Sequence, residues 1–529
     1  MNHRSSKTVW WRMARRASVA AAAALVIAPH ASAQIIQIKT LPLADGDQWR
    51  IFPSMSASLG DVSIALADSL LDPFTNPAKA SRRASGRGAF FSSPTFYSLS
   101  NDAGGGRTLP VGGLARWGST FGGFMFAMQE IDSASSGSRA VFPPVPVALA
   151  ARTEPGVAPT VTTTTIQAPN PSRQNQYAFG SLGHVFEGPR ISVAGSLLWS
   201  GLHDVDGTDL LYSGSAAVVQ HGGSVDARLG VTKDWSSDRG DRTAEAILVR
   251  NSYSMTHEVT WIDQVWDPNA RTFTNAARVD DNFDRTNTWG LHVGYSQPVT
   301  DSGLRIGAIA TANLASHPQL PDYRITQVTV VPWDPGHSTA YDFGLGLAQV
   351  KGPLTFGLDA IYEPIASHTW GEAHGDTPTQ SGGTIPDGGK TTENVFHFSN
   401  RILRAGVGHD FDAGPHQVLS VQFGIGVRSI TYGLDQTDHV AETTVHQDEH
   451  WNEWTRSWGF SLHFTDLELR YSGRSVTGTG RPGVTQQGGV FVADAATAGP
   501  NVLAAPNGPL SLTNVAVMTH QISVSLPIR

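Results

Sequence analysis

The segment Gln417–Ser429, with the sequence QVLSVQFGIGVRS, decides the fold of this chain. The odd-numbered residues at its centre are bulky and apolar: Leu419, Val421, Phe423, Ile425 and Val427. The even-numbered residues between them are small or polar: Ser420, Gln422, Gly424, Gly426 and Arg428. Because successive side chains of a strand point to opposite faces, this alternation predicts a β-strand with one apolar face.

The same alternation recurs in segments 304–313, 341–349 and 456–464. The face opposite the apolar one is rich in glycine, which weakens an ordinary strand and has no purpose on the solvated face of a soluble sandwich. A barrel with an apolar outside and a crowded polar lumen explains both faces. The pattern therefore predicts a membrane barrel.

The alternating segments are separated by connections of two kinds, six short and seven long, in strict alternation. Outer-membrane barrels have this arrangement, with tight periplasmic turns and long external loops. We predict an all-β fold, a transmembrane antiparallel β-barrel of about 14 strands, and leave 87–98 as either a further strand or part of a plug. The candidate strands are 114–131, 174–187, 190–201, 223–235, 242–254, 287–299, 303–314, 339–350, 353–363, 398–411, 416–430, 456–464, 466–475 and 513–528.

The long connections predicted between these strands are rich in Pro, Gly, Ser and Thr, and we expect solvated extracellular loops there. They lie at about 132–173, 202–222, 255–286, 315–338, 364–397, 431–455 and 476–512.

Residues 1–33 have the pattern of a secretory signal peptide. A basic region ends at Arg15–Arg16, an apolar run covers 17–29, and Ala31-Ser32-Ala33 is a cleavage site of small residues. The run is shorter than the roughly 20 residues that span a bilayer as a helix. We expect export, a mature chain that begins at Gln34, an N-terminal plug over 34–86 and a barrel with its loops over 87–529.

The composition excludes several classes of protein. Charged residues are 16% of the chain, against about 25% in an ordinary soluble protein. The absence of cysteine excludes a disulfide scaffold and thiol chemistry. Without 1–33 the chain keeps 32 of its 37 basic residues beside all 45 acidic ones. This balance argues against a nucleic-acid partner, which requires a cationic face.

The segment 34–86 does not alternate, and its motifs resemble a known family. Gly60-Asp61 is followed by the Ala-rich stretch 65–68 and then by Asn76-Pro77-Ala78. This order resembles the N-terminal region of FadL-type fatty-acid transporters and the related PorV-type secretion barrels. The resemblance implies a 14-stranded barrel with a small N-terminal plug, the hatch, and assigns Gly60, Asp61, Asn76, Pro77 and Ala78 to the hatch motif. Asn-Pro is also a turn initiator on physical grounds.

Ten charged residues lie on the predicted lumen face: Asp226, Arg228, Arg305, Asp342, Asp359, Arg404, Asp410, Arg428, Glu468 and Arg470. They must face inward, because a charge near the middle of the bilayer costs about 2–4 kcal/mol. We favour an ion-pair network that holds the plug to the wall, since both signs are interleaved. The alternative is a polar path or a clamp for a ligand carboxylate built on arginine.

Two loops carry weaker hints of metal binding. Residues 204–209 have carboxylates at alternate positions but no closing glutamate, so calcium stays an open alternative. His446, Glu449 and His450 could bind a transition metal only as a helix. We predict no metal, no cofactor and no catalytic site, because no nucleophile or paired acid and base stands out.

The resemblance implies passive uptake of hydrophobic small molecules across the outer membrane of a diderm bacterium. We expect a monomer whose partners are outer-membrane lipid, a hydrophobic small molecule in the lumen and the barrel assembly machinery, with no nucleic acid. The alternatives are a PorV-like shuttle for exported proteins and a structural or adhesive surface barrel.

Overall fold

The computed structural model describes residues 39, 42, 44, 47–101, 104–132, 139–141, 164–166, 172–205, 217–267, 272–317, 336–373, 375–482, 484–487, 490–493 and 512–528. Within these residues, no helix is long and apolar enough to cross a membrane. The predicted signal peptide, its cleavage site and the last residue, Arg529, lie outside them.

Twenty-three strands run through the described residues, and most of them form one large antiparallel sheet. The strands of this sheet are β1 (Arg87–Ser92), β2 (Thr95–Leu99), β3 (Gly105–Trp117), β4 (Thr120–Asp132), β7 (Ser172–Phe186), β8 (Ile191–Leu202), β9 (Ala217–Ser237), β10 (Gly240–Asp267), β11 (Thr272–Pro298), β12 (Leu304–His317), β13 (Gly336–Lys351), β14 (Leu354–Glu372), β17 (Lys390–Gly414), β18 (Gln417–Asp438), β19 (Thr443–His463), β20 (Glu468–Pro482) and β23 (Leu512–Ile528). The remaining strands form three short hairpins in the connections: β5 (Arg139–Val141) with β6 (Thr164–Ile166), β15 (Thr377–Pro378) with β16 (Thr384–Ile385), and β21 (Val484–Gln487) with β22 (Val490–Ala493).

The large sheet closes on itself. Each strand pairs antiparallel with its neighbours in chain order. The last strand, β23, pairs with β20 on one side and with β1 and β2 on the other. Because β1 and β2 pair with the same two strands, they are one strand interrupted at residues 93–94. Counted over the described residues, the wall therefore has sixteen strand positions and no free edge.

The predicted count of about 14 strands is thus wrong by two. The predicted strand 114–131 contains a turn at 118–119, where Gly118 has a φ of 58°, and this turn joins β3 to β4. Segment 87–98 belongs to the wall. Pro94 and Pro110 obscured both strands in the sequence, because proline demotes a strand prediction. The count stays even, so the end of β23 lies beside the start of β1.

Three of the predicted long loops are largely strand. The ladder of β10 and β11 continues to the pair Asp267 and Thr272, through the predicted loop 255–286. Strands β14, β17, β18 and β19 likewise extend into 364–397 and 431–455. Backbone pairing continues beyond the part of each strand in which apolar and polar residues alternate regularly, so these extensions do not show a membrane pattern. Most of the predicted loops 132–173, 315–338 and 476–512, and half of 202–222, lie outside the described residues.

The outer face of the wall is apolar. On β18, Phe423 is 58% exposed and Ile425 is 49% exposed, whereas Ser420 is buried. Exposed apolar side chains alternate in the same way on β4, β13 and β17. Trp117, Trp199 and Trp235 are exposed near strand ends, as is typical of tryptophans at a membrane–water interface. A closed barrel with an apolar outer band satisfies its backbone internally and is an architecture that spans membranes.

The orientation of β18 gives a first testable prediction. Phe423→Arg is expected to lower folding stability in lipid by about 2–4 kcal/mol, because the charge would face the hydrocarbon. Phe423→Leu keeps an apolar side chain at the same position and is expected to fold like the original chain. The measurement is the yield of heat-modifiable, folded protein in lipid vesicles. Equal yields from the two variants would mean that this face of β18 does not contact lipid.

The N-terminal segment, residues 47–86, lies against the inner face of this wall. It contains a 3-10 turn at Ala57–Leu59, one α-helical turn at Asp72–Thr75 and a 3-10 helix at Pro77–Arg82. The turn Ala57–Leu59 contacts β17, β18, β19 and β20, and the helix Pro77–Arg82 contacts β3, β4, β7, β8 and β9. One segment therefore reaches opposite sides of the ring from within.

Candidate functional site

The glycines of the inner face lie where the N-terminal segment approaches the wall. A Cβ atom added to Gly424 would collide with the backbone of Leu59 and Gly60, and one added to Gly406 would collide with Leu59. At Gly459 it would lie 2.6 Å from the Cβ atom of Ser58. The glycine-rich face seen in the sequence is thus the surface on which the backbone of this segment packs.

Asp68 organises the N-terminal segment. It is 1% exposed, and its Oδ2 atom accepts hydrogen bonds from the N–H groups of Met55 and Ser56 at 2.7 and 2.9 Å. The hydroxyls of Ser54 and Ser56 donate to the same oxygen. Its Oδ1 atom accepts from two further N–H groups, at 3.0 Å each, on Leu70 and Leu71. Sequence reasoning quoted this residue but gave it no role, because a buried aspartate that accepts six bonds has no local signature.

The Asn76-Pro77-Ala78 motif fixes the segment to strand β10. Asn76 is fully buried, and its Oδ1 atom accepts a hydrogen bond from the N–H group of Ala78 at 3.1 Å. Its Nδ2 atom donates to Glu245 on β10 at 2.8 Å. Lys79 forms an ion pair with the same carboxylate at 3.0 Å. Pro77 begins the 3-10 helix that Asn76 caps, so the motif joins a local turn to the wall.

The other half of the predicted motif, Gly60-Asp61, is a turn held by arginine. Both residues have left-handed backbones, with φ of 72° and 61°. Arg50 donates to the two carboxylate oxygens of Asp61 at 3.1 and 2.6 Å. Burial by itself would raise the pKa of Asp61. The charge and hydrogen bonds of Arg50, together with the charges of Arg474 and Arg404, outweigh this effect and lower the pKa to about 2, so this carboxylate is ionised at any physiological pH. Asp47 forms ion pairs with Arg50 and with Arg474 on β20, with N–O distances of 3.2 and 2.5 Å.

Some of the ten predicted lumen charges form ion pairs within one strand. Asp226 and Arg228 are 2.7 Å apart, and Arg228 also donates to the carbonyl oxygen of Thr75 at 3.1 Å. Glu468 and Arg470 are 2.6 Å apart. Both ion pairs lie within the wall, and the bond from Arg228 joins the wall to the segment.

Two further predicted lumen charges, Asp359 on β14 and Arg404 on β17, form hydrogen bonds with the backbone of the segment and, within the described residues, no ion pair. Asp359 accepts from the N–H groups of Ser63 and Ile64 at 2.8 and 3.2 Å. Arg404 donates to the carbonyl oxygen of Asp61 at 3.3 Å. These bonds tether the segment to β14 and β17, four and five strand positions around the ring from the β10 contact of Asn76.

The four remaining predicted lumen charges form no hydrogen bond or ion pair with the segment within the described residues. Arg305 donates to the carbonyl oxygen of Asp241 and to the hydroxyl of Ser296, each at 3.1 Å. Asp410 accepts from Ser420 at 2.5 Å near the short turn at 415–416. The other two, Asp342 and Arg428, are partly buried.

The segment lies between two cavities of the lumen. The first, which we call the arginine cavity, has a volume of about 520 Å³ and is lined by residues that include Trp49, Phe52, Arg404, Arg428 and Arg474. The second, the turn-side cavity, has a volume of about 850 Å³ and is lined near the short turns by residues that include Arg82, Arg116, Glu187, Asp241 and Arg305. Ser63 of the segment borders both cavities.

Aromatic side chains pack the segment against one side of the wall. Phe52 stacks on Phe74 with ring centres 4.6 Å apart. Phe74 in turn packs against Phe91 of β1 and Phe179 of β7, at 5.6 and 5.1 Å. This cluster packs part of the segment against strands β1 and β7.

A second aromatic cluster lies on β17, β18 and β19, on the long-connection side of the arginine cavity. Phe396 stacks on Phe398 with centres 5.4 Å apart, and Phe398 lies 5.3 Å from Tyr432. Trp451 packs on Tyr432 at 6.4 Å. Because Phe396 and Phe398 alternate with exposed residues in the same register as Arg404, the cluster faces the interior.

The described residues test one of the two hypotheses about metal binding, the transition-metal site at His446, Glu449 and His450. His446 and His450 lie on strand β19, so the helix that the transition-metal hypothesis required is not formed. His446 instead contacts Asp435 and Asp448 at 2.7 and 2.9 Å. Among the described residues, no group of three or more potential ligands is placed to hold a metal ion. Most of the 204–209 loop lies outside those residues, so calcium there remains an untested alternative.

No protein-family model and no curated protein matches this chain. Solved structures do align with it. A FadL homologue from Pseudomonas aeruginosa matches with a TM-score of 0.40 and 10% identity, over 92% of this chain and 99% of that one. The toluene transporter TodX of Pseudomonas putida matches with a TM-score of 0.38 and 9% identity, over 89% and 96%.

A bacterial polysaccharide outer-membrane secretin matches at a similar level, with a TM-score of 0.38, 6% identity and coverage of 84% and 100%. Outer-membrane proteins that differ in function thus align with this chain, all at very low identity. A FadL homologue and two toluene transporters are thus among the solved structures that align with this chain.

Proposed function

We propose that this protein is an outer-membrane channel for passive uptake of hydrophobic small molecules, and that residues 34–86 form a hatch that closes its lumen. One observation carries the proposal: the segment separates the arginine cavity from the turn-side cavity and is bound to the wall on both sides of the ring. A solute can pass only if the segment moves or the wall opens.

The aromatic cluster of Phe396, Phe398 and Tyr432 supports an apolar cargo. These three side chains are buried on β17 and β18, the strands that also carry Arg404 and Arg428, and apolar side chains of this kind predominate in small-molecule sites. In this proposal the protein acts without catalysis, as a monomer in outer-membrane lipid, after the assembly machinery has inserted it.

The absence of cysteine in the chain allows a clean test of hatch movement. A Cβ atom at Gly357 would lie 3.3 Å from the Cβ atom of Val62, close to the roughly 3.5–4.5 Å found in disulfides. In Val62→Cys/Gly357→Cys, the oxidised hatch is tied to β14. We expect oxidation to abolish uptake of radiolabelled naphthalene by diderm cells that lack a similar channel, and reduction to restore it.

The single-cysteine variants are the matched controls and are expected to transport whether oxidised or reduced. Uptake by the oxidised double variant at the level of the reduced form would contradict a hatch that must move at this contact. Failure of every variant, and of the original chain, to increase naphthalene entry would contradict the proposed function itself.

A second candidate, binding of an exported protein, is favoured by the hairpin of β10 and β11. Its paired strands continue to residues 267 and 272, far beyond the apolar band. Replacing 258–281 with a short turn separates the two functions. A channel is expected to keep its naphthalene uptake in this variant. A shuttle is expected to lose binding of its exported partner and to show no naphthalene uptake with or without the hairpin.

A further inference from the structure

We propose that the arginine cavity binds an organic dianion with an aromatic body. This ligand class lies beyond the apolar solutes of the proposed uptake, and the inference rests on that function only in placing the cavity beside the segment that closes the lumen. The volume of about 520 Å³ is in the range of small-molecule sites. Its lining carries five cationic and only three acidic side chains.

Three of those cations are matched by the three acids. The ion pairs, with N–O distances of 2.7, 2.6 and 2.5 Å, join Lys39 to Glu453, Arg50 to Asp61, and Arg474 to Asp47. The lining therefore keeps an excess of two positive charges, carried by Arg404 and Arg428.

The surroundings of these two arginines leave their donors available. Arg404 makes one hydrogen bond, to the carbonyl oxygen of Asp61 at 3.3 Å. Asp359 is opposite Arg404 in the ladder, but its carboxylate accepts from the backbone of residues 63 and 64 instead. Within the described part of the chain, Arg428 has neither a hydrogen bond nor an ion pair.

The ladder places the two guanidinium groups side by side. Arg404 pairs with Gly426, so Arg428 is its diagonal neighbour on the inner face of β18. Diagonal neighbours of an antiparallel pair are about 7–8 Å apart at the backbone, and each group can hold a carboxylate by two parallel hydrogen bonds. Arg428 repels Arg404, whose charge is only partly offset by the nearby carboxylates of Asp61, Asp359 and Glu363, and a ligand with two negative charges relieves this repulsion.

The opposite side of the cavity is aromatic. Trp49 is 42% exposed and lines the cavity together with Phe52, both on the N-terminal segment. A ring between these side chains and the arginines would contact aromatic surface on one side and guanidinium groups on the other. This arrangement favours an aromatic dicarboxylate over an inorganic anion or a neutral hydrocarbon.

The test is calorimetric titration of the full, detergent-purified chain with phthalate, benzoate and dimethyl phthalate. We expect phthalate to bind, benzoate to bind about tenfold more weakly, and the neutral diester to give no binding heat. Arg428→Gln should weaken phthalate binding about tenfold or more and bring it close to that of benzoate. Arg401→Gln is the matched control, because Arg401 is an exposed arginine on the outer face of the same wall strand as Arg404.

Equal affinity for phthalate and benzoate, or unchanged phthalate binding in Arg428→Gln, would overturn the inference. Heat-modifiable migration shows whether each variant is folded. If Arg428→Gln does not fold, Arg428→Lys keeps the charge but loses the planar fork, and it should bind phthalate with an intermediate affinity. Phthalate binding without any naphthalene uptake would contradict the proposed function and leave this site standing.

Discussion

Asp68→Ala is expected to disorder residues 47–86 inside a barrel that remains folded. The substitution leaves four backbone N–H groups and two hydroxyls without their common acceptor. Each buried donor left unpaired costs about 1–3 kcal/mol, and a short segment with two 3-10 turns has no core of its own to offset this. The wall does not depend on Asp68, because its strands pair with one another.

Hydrogen exchange followed by mass spectrometry measures this outcome. Peptides from 47–86 should exchange much faster in Asp68→Ala, while those from β17 and β18 keep their protection. Ser69→Ala is the control, since Ser69 is the exposed neighbour and, among the described residues, its side chain donates one hydrogen bond, to the sulfur of Met55. Unchanged protection of 47–86 in Asp68→Ala would show that this carboxylate does not hold the segment together.

Gly424→Ala should displace the turn Ala57–Leu59 from the wall. Its methyl group would occupy the space of the Leu59 and Gly60 backbone, and overpacking of this kind costs about 1–3 kcal/mol. The shift would also break the 2.9 Å bond from the Gly60 N–H group to Ser457. We expect limited proteolysis to cut within 57–61 in this variant and not in the original chain.

Gly426→Ala provides a close control, because it is the next inward position of the same strand. There the added methyl meets Leu403 and Thr455 at 3.6 Å, an ordinary contact, and the variant should resist proteolysis. If both variants resist equally, the turn tolerates a side chain at Gly424 and the close packing described above is wrong.

The faces of the strands were predictable from the sequence, because a strand that separates lipid from a polar lumen must alternate. Phe423 and Gln422 fall on the expected faces for this reason. The first two strand positions were not predictable, because Pro94 and Pro110 interrupt the pattern where the wall tolerates them. The extensions of β10 and β11 were missed because strands outside the membrane need not alternate, and without alternation they resemble loops in the sequence.

The candidate site was less predictable than the wall. The sequence placed Arg404 and Arg428 on the inner face, but only the three-dimensional arrangement shows which cations have ion-pair partners. The glycine-rich face was visible in the sequence. The sequence did not show that the backbone of residues 58–60, from a distant part of the chain, packs on this face. Asp68 acts through bonds to residues on both sides of it in sequence, and a single aspartate among alanines gives no sign of them.

Conductance across a planar bilayer tests the central claim, that the N-terminal segment closes the lumen of a sixteen-stranded barrel. The original chain is expected to show no steady conductance, and Asp68→Ala to show open currents many times the baseline, because the lumen is then free of ordered protein. A steady open conductance in the original chain that Asp68→Ala leaves unchanged would contradict the claim.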